Sequence, residues 1–113
     1  ALRSRFIGSV WGYPSNNDMS SVVDWTDIDE ITIKNPLLTL AQDIYALKLK
    51  GDVEYALSIR DLVQFTHHYR EIQNEIKKPL EVALNEVVMI KFSEPAEREL
   101  IRLRIEDTFD VKL

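Results

Sequence analysis

Arginine is the residue type with the clearest chemical prospects in this chain. Arg3 and Arg5 sit two apart, with the small Ser4 between them and Phe6 after them. Arg60 follows Ser58-Ile59 and precedes Asp61-Leu62, where the pattern opens a helix. A guanidinium is permanently charged and forks onto two phosphate oxygens at once. The N-terminus of a helix adds partial positive charge beside it, so Arg60 is placed to reach a phosphate. Each arginine also has a plainer reading, a surface ion pair, which for Arg60 means the adjacent Asp61 or another nearby acid.

The remaining inventory is thin. His67 and His68 are neighbours, and on a helix neighbours diverge by about 100°. Glu71 lies four residues after His67 and three after His68. That spacing allows at most a two-ligand surface site, short of the three or four ligands zinc needs, so the pair reads as solvated or half-packed and no metal site is expected. There is no cysteine, and the three glycines, Gly8, Gly12 and Gly51, are too scattered to form a phosphate-cradling loop. Glu94 and Glu97 read as complements to a helix dipole rather than as paired catalytic acids.

Helices must hold these groups. Asn35-Pro36 is a helix start, with Asn as cap and Pro at the first position, and Leu37, Leu40, Ile44 and Leu47 line one face of a helix over 36–49. Gly51 suits a left-handed stop. Ser58 and Asp61 form a capping pair for a helix over 59–75, with Leu62, Phe65, Thr66, Tyr69 and Ile72 as its stripe. A third helix over 79–91 is apolar over so wide an arc, with Leu80, Val82, Ala83, Leu84, Val87, Val88 and Ile90, that several neighbours should bury it. Ser93 and Pro95 open a fourth over 94–107, burying Leu100, Ile101, Leu103 and Ile105, with Arg98, Arg102 and Glu106 facing solvent. Asp18 caps a short helix before these. Ile31-Thr32-Ile33 and residues 109–113 are expected as short strand pieces. The expected fold is mainly α: a four-helix bundle behind an irregular or extended N-terminal arm.

Composition narrows the function classes. The hydrophobic share of 45% and charged share of 29% are those of a globular domain. A net charge of −5 is a poor match to non-specific nucleic-acid binding or to anionic membranes. No apolar run reaches the ~18 residues that span a bilayer. Absence of cysteine fits a reducing compartment, and a cytoplasmic location is expected. Between residues 17 and 30, five carboxylates (Asp18, Asp24, Asp27, Asp29, Glu30) occur with no lysine or arginine and read as a solvated loop.

Three segments carry a family resemblance. Ala1-Leu2-Arg3-Ser4-Arg5-Phe6 resembles the arginine-finger segment that closes the core domain of AAA+ ATPases. Tyr13-Pro14-Ser15 resembles the step from that core into the lid. Ala56-Leu57-Ser58-Ile59-Arg60-Asp61-Leu62 resembles the helix start that carries the sensor-2 arginine. Their order is similar to that of the MoxR, CbbQ and dynein-related branch, and Pro79 to Leu84 and Lys91 to Arg98 also look like that branch's lid. The resemblance implies that residues 1–16 end a core domain and residues 17–113 form a lid-type bundle. It implies that Arg5, with Arg3 as second choice, is the catalytic finger reaching a neighbouring protomer's ATP, a role worth about 10³–10⁵ in rate. Arg60 would bind the nucleotide's phosphates as sensor 2, in cis or across the interface. ATP and Mg²⁺ would be held mainly by a core domain upstream, so this stretch alone would not hydrolyse ATP. The implied partners are neighbouring protomers of a homo-oligomeric ring, as a hexamer, and a protein substrate or a von Willebrand A-type partner. Trp11, Trp25 and the acidic stretch depart from the family pattern.

Two other readings fit the same helices. One is a free-standing helical interaction module that docks a partner helix or peptide and needs no arginine chemistry. The other is a helix-turn-helix DNA reader presenting His67, His68 and Arg70, against which the acidic balance argues.

Overall fold

Three helical segments start where a short polar side chain, that of Ser15, Asp29 or Ser58, satisfies backbone donors that have no helical partner. The computed structural model describes residues 15–113. In the first helix, α1 (Asn16–Val22), Ser15 is the cap. Its hydroxyl accepts from the Asp18 N–H at 3.2 Å, and the Asp18 carboxylate accepts from the Ser15 N–H at 3.3 Å. Asp18 is therefore the third-position acid of a capping box, not the cap itself. The Trp25 indole N–H then donates to the Ser20 carbonyl at 3.1 Å and pins the turn that follows.

The next rod begins earlier than its sequence suggests. Asp29 accepts from both the N–H (2.7 Å) and the hydroxyl (2.6 Å) of Thr32. A wide π-helical turn, Glu30–Lys34, runs directly into α2, Asn35–Lys50. Ile31-Thr32-Ile33 is thus helical, not a strand: the Asp29 cap outweighs the β-preference of three branched residues. Asn35 lies inside the rod with helical dihedrals and does not cap it. The wide turn ends just before Pro36, where a missing N–H and a ring clash with the carbonyl four residues back would break an ordinary α ladder. Gly51 ends α2 at φ 85°, and Asp52 N–H reaches back to the Leu47 carbonyl at 2.9 Å, closing the helix with a Schellman turn.

Helix α3 (Ile59–Ile72) follows an extended stretch that buries Val53 and Leu57. It stops three residues short of the expected 75. A second composite rod comprises α4 (Pro79–Ala83), a π turn (Leu84–Val88) and a 3-10 turn (Met89–Lys91). The last helix, α5, spans Pro95–Phe109. Its N-terminal cap position is Glu94, with no side-chain cap, so Ser93 does not play the expected part. Asp110 takes a left-handed conformation, and the chain then folds back so that the Leu113 N–H donates to Glu106 at 2.9 Å. The strand piece expected at 109–113 is replaced by this return, and no strand occurs among the described residues.

The protein is mainly helical, and one buried apolar cluster draws on every helix. α2 packs on α5 and α1, while α3 packs on α4 and its π turn. Leu37, Leu40, Ala41 and Ile44 of α2 are fully or almost fully buried, as are Leu62 and Phe65 of α3 and Ile101 and Ile105 of α5. Phe65 stacks on Tyr69 with ring centroids 6.2 Å apart. Leu103 departs from expectation: it is 50% exposed, on the outer side of α5. Arg98 is also tied in rather than free, donating to the carbonyls of Met89 (2.9 Å) and Phe92 (2.7 Å) and so closing the end of the second rod. No helix among the described residues is long and apolar enough to cross a membrane.

The burial pattern separates two leucines that the sequence treats alike. Leu40→Ala is expected to cost about 2–5 kcal/mol, through lost transfer energy and the cavity left behind. Leu103→Ala is expected to cost less than about 0.5 kcal/mol. Urea unfolding followed by circular dichroism measures both, and similar losses would contradict the packing described.

Candidate functional site at the start of α3

The start of α3 is built around one carboxylate. Ser58 is the cap, and its hydroxyl accepts from the Asp61 N–H at 3.2 Å. Asp61 Oδ2 accepts from the Ser58 N–H at 2.7 Å and from the Ser58 hydroxyl at 3.0 Å. The same oxygen lies 2.8 Å from the Lys91 ammonium, at the end of the second rod. This pair is half-buried, with the Asp61 side chain 13% exposed and that of Lys91 28%.

These contacts bear on the ion pair expected between Arg60 and Asp61. Asp61 is engaged by the cap and by Lys91, and the adjacent guanidinium is not among its partners. Arg60 is the second residue of α3 and is exposed. It makes no ion pair with any described residue. Two cations and one carboxylate meet here, so the helix start keeps one positive charge beyond the dipole's own. An anion with several oxygens is the ligand such a point attracts. Arg3 and Arg5 lie outside the described residues, as does Trp11.

Along α3 the stripe that begins at Arg60 continues through Gln64, His67 and Glu71, each close to a whole number of turns away. This stripe borders an open groove of about 640 Å³ between α3 and the second rod. Val63, Val87 and Ile90 supply apolar lining; His67, Glu71, His68 and Glu86 supply polar lining. The two histidines diverge. His68 Nε2 lies 2.8 Å from Glu86 Oε1 and bridges the helices, while His67 is exposed. No group of three or more histidine or carboxylate side chains is set to hold a metal ion among the described residues. Arg70 is committed within the fold, donating to the carbonyls of Asp24 (3.1 Å) and Thr26 (2.8 Å), which removes it from the face a DNA reader would present.

Sequence reasoning identified Arg60 and its capped helix but missed Lys91 and the groove. Lys91 is a contact across thirty residues, which helix periodicity does not reveal. The groove was hidden because the breadth of the apolar arc implied full burial, whereas Ile90 is 71% exposed. That breadth was itself the available signal.

The five carboxylates between residues 17 and 30 are all exposed, as expected of a solvated run, and two of them are held by a nearby threonine. The Thr26 hydroxyl, then its N–H, holds the Asp24 carboxyl below its usual range. Thr32 does the same for Asp29, again chiefly through its hydroxyl. The Leu113 N–H, and after it Arg102, lowers Glu106. Burial, with Asp29 second, raises Tyr69.

No family model matches the sequence, and no curated protein or solved structure matches it either.

Because Asp24, Asp29 and Glu106 are all lowered on folding, their contribution is complete above the ordinary carboxylate range near ~4. It is lost as the pH falls through the lower folded values, where the native state must take up protons it disfavours. The urea midpoint is therefore expected to fall between about pH 5 and pH 2.5. Asp29→Asn keeps a capping side chain but removes one titrating group, so its acid dependence should be shallower. An unchanged slope would show that these loops are not part of the acid response.

Proposed function

We propose that the chain is the helical lid of an AAA+ ATPase of the MoxR-like branch, with Arg60 contacting the phosphates of the nucleotide. In this reading ATP and Mg²⁺ are bound mainly by a core domain, and the ring's turnover drives remodelling of a protein partner. ATP supplies the phosphoryl-transfer chemistry, and this chain supplies Arg60 as a phosphate contact and the bundle that carries it. The observation that supports the reading is the exposed guanidinium at the second position of a capped, 14-residue helix, which makes no ion pair with any described residue. Its natural neutralising partner, Asp61, is occupied elsewhere. The order of the segments around Arg5, Pro14 and Arg60 supports it from the sequence side.

The test belongs in a protein that joins this chain to its nucleotide-binding core. A charge-assisted contact is worth about 1.5–3 kcal/mol, so Arg60→Ala should slow ATP turnover roughly 10- to 150-fold. Its thermal unfolding should be unchanged, because the side chain is exposed. Arg5→Ala should reduce turnover by about 10³–10⁵ while leaving nucleotide binding intact. Normal turnover in the Arg60 variant would remove the sensor role, and normal turnover in the Arg5 variant would remove the finger.

A second reading, a helical docking module without nucleotide chemistry, is favoured by one observation: the apolar groove beside α3 with Ile90 at its edge.

A further inference from the structure

The groove between α3 and the second rod has a floor and a charge pattern of its own. Val63 (37% exposed), Ile90 (71% exposed) and the half-buried Val87 present a short apolar strip. Isolated exposed apolar residues are ordinary, but a contiguous strip set in a trough is a place for contact. The trough is open along its length, unlike the enclosed clefts that bury most of a small ligand. From Val63 to Glu71, α3 runs eight residues, or roughly 12 Å. That length accommodates about two turns of a second helix, the span over which apolar anchors at i, i+3 or i+4, and i+7 are read.

The rod that forms one wall is irregular at this point. The π turn Leu84–Val88 and the 3-10 turn Met89–Lys91 replace an α ladder and direct Ala83, Leu84, Val88 and Met89 into the core. Glu86, Val87 and Ile90 are left on the groove side. Local π turns of this kind are frequent at functional sites.

Charge selects the occupant. Glu71 and Glu86 line the groove, and among the described residues no lysine or arginine does. Glu71 is exposed and makes no ion pair with any described residue. The chain as a whole carries −5, so a second copy of it is repelled and a basic partner attracted. We infer that this groove docks an amphipathic helical segment of a partner protein whose apolar stripe is flanked by lysine or arginine. The inference does not rest on Arg60 or on nucleotide chemistry.

Fluorescence anisotropy tests it with two labelled peptides of about 15 residues, long enough for a four-turn helix. Both carry leucines at helical spacing, one flanked by lysines and the other by glutamates. The intact chain should bind the lysine peptide at least roughly tenfold more tightly. Ile90→Asp should weaken that binding by roughly tenfold or more, with an unchanged circular dichroism spectrum because Ile90 is exposed. Glu71→Lys should narrow the preference, whereas Glu54→Lys, on an exposed loop away from the groove, should leave it. Equal affinity for both peptides would overturn the proposal. So would indifference to Ile90→Asp, or equal effects of Glu71→Lys and Glu54→Lys. A dimer that Ile90→Asp dissolves, in a chain that binds neither peptide, would assign the groove to a second copy instead. None of these readouts involves nucleotide, so failure here leaves the lid reading untouched.

Discussion

The carboxylate of Asp61 joins two parts of the protein that are thirty residues apart in the chain. It completes the cap that starts α3, and it holds Lys91 at the far end of the second rod. A carboxylate at a helix N-terminus is favoured by the dipole, and a half-buried ammonium against it lowers the cost of removing both from water. The arrangement fixes the relation between α3 and the second rod at one end, and the His68–Glu86 contact fixes it further along. The groove lies between the two elements, with His68 and Glu86 in its lining. With Asp61 committed, Arg60 is also left as the exposed cation of the site. Asp61 thus bears on Arg60, whereas the groove beside α3 follows from how the second rod packs.

The irregular turns follow from sequence conflicts at identifiable places. Pro36 would clash with an α ladder extended back to Asp29, and the wide turn before it resolves that conflict without ending the rod. In the second rod, apolar residues from Leu80 to Ile90 exceed what one helical face can bury against α3 and α5. The π and 3-10 turns shift the phase of the helix so that Leu84, Val88 and Met89 all reach the core. Val87 and Ile90 are what that adjustment leaves outside. The packing that stabilises the bundle therefore also generates its one apolar strip beside α3.

Much of this was legible in the residues, and the failures have common causes. Ser58 with Asp61 and Gly51 after α2 were readable because capping and left-handed stops depend on neighbours in the chain. The apolar stripes of α2 and α3 were readable from their period. Ile31-Thr32-Ile33 misled because β-propensity describes side chains, while Asp29 two residues earlier decided the backbone. Asn35 misled because it is a good cap in isolation and the true start lay six residues upstream. Leu103 and Ile90 misled because apolar type does not say which side of a helix has a neighbour. Arg98 is exposed, as its place on the polar side of the helix suggests, but its bonds to the carbonyls of Met89 and Phe92, like the reach of Lys91 to the Asp61 carboxylate, involve partners in other elements and leave no periodic trace. The first fourteen residues, with Arg3 and Arg5, lie outside what the structure describes, so the part of the site they would form rests on the segment order alone.

The distribution of charge ties these features together. A chain with net charge −5 still presents a local positive point at the start of α3, because Lys91 takes the Asp61 carboxylate and Arg60 makes no ion pair with any described residue. A few turns along α3 the sign reverses at Glu71, with Glu86 lining the same groove from the second rod. Over the roughly 16 Å between residues 60 and 71, about two Debye lengths at physiological salt, the two ends act as separate fields. An anion at the first and a basic segment at the second would not compete for the same charges. They would share only α3, whose position is set by Phe65 and Leu62 in the core and by Asp61 at its end.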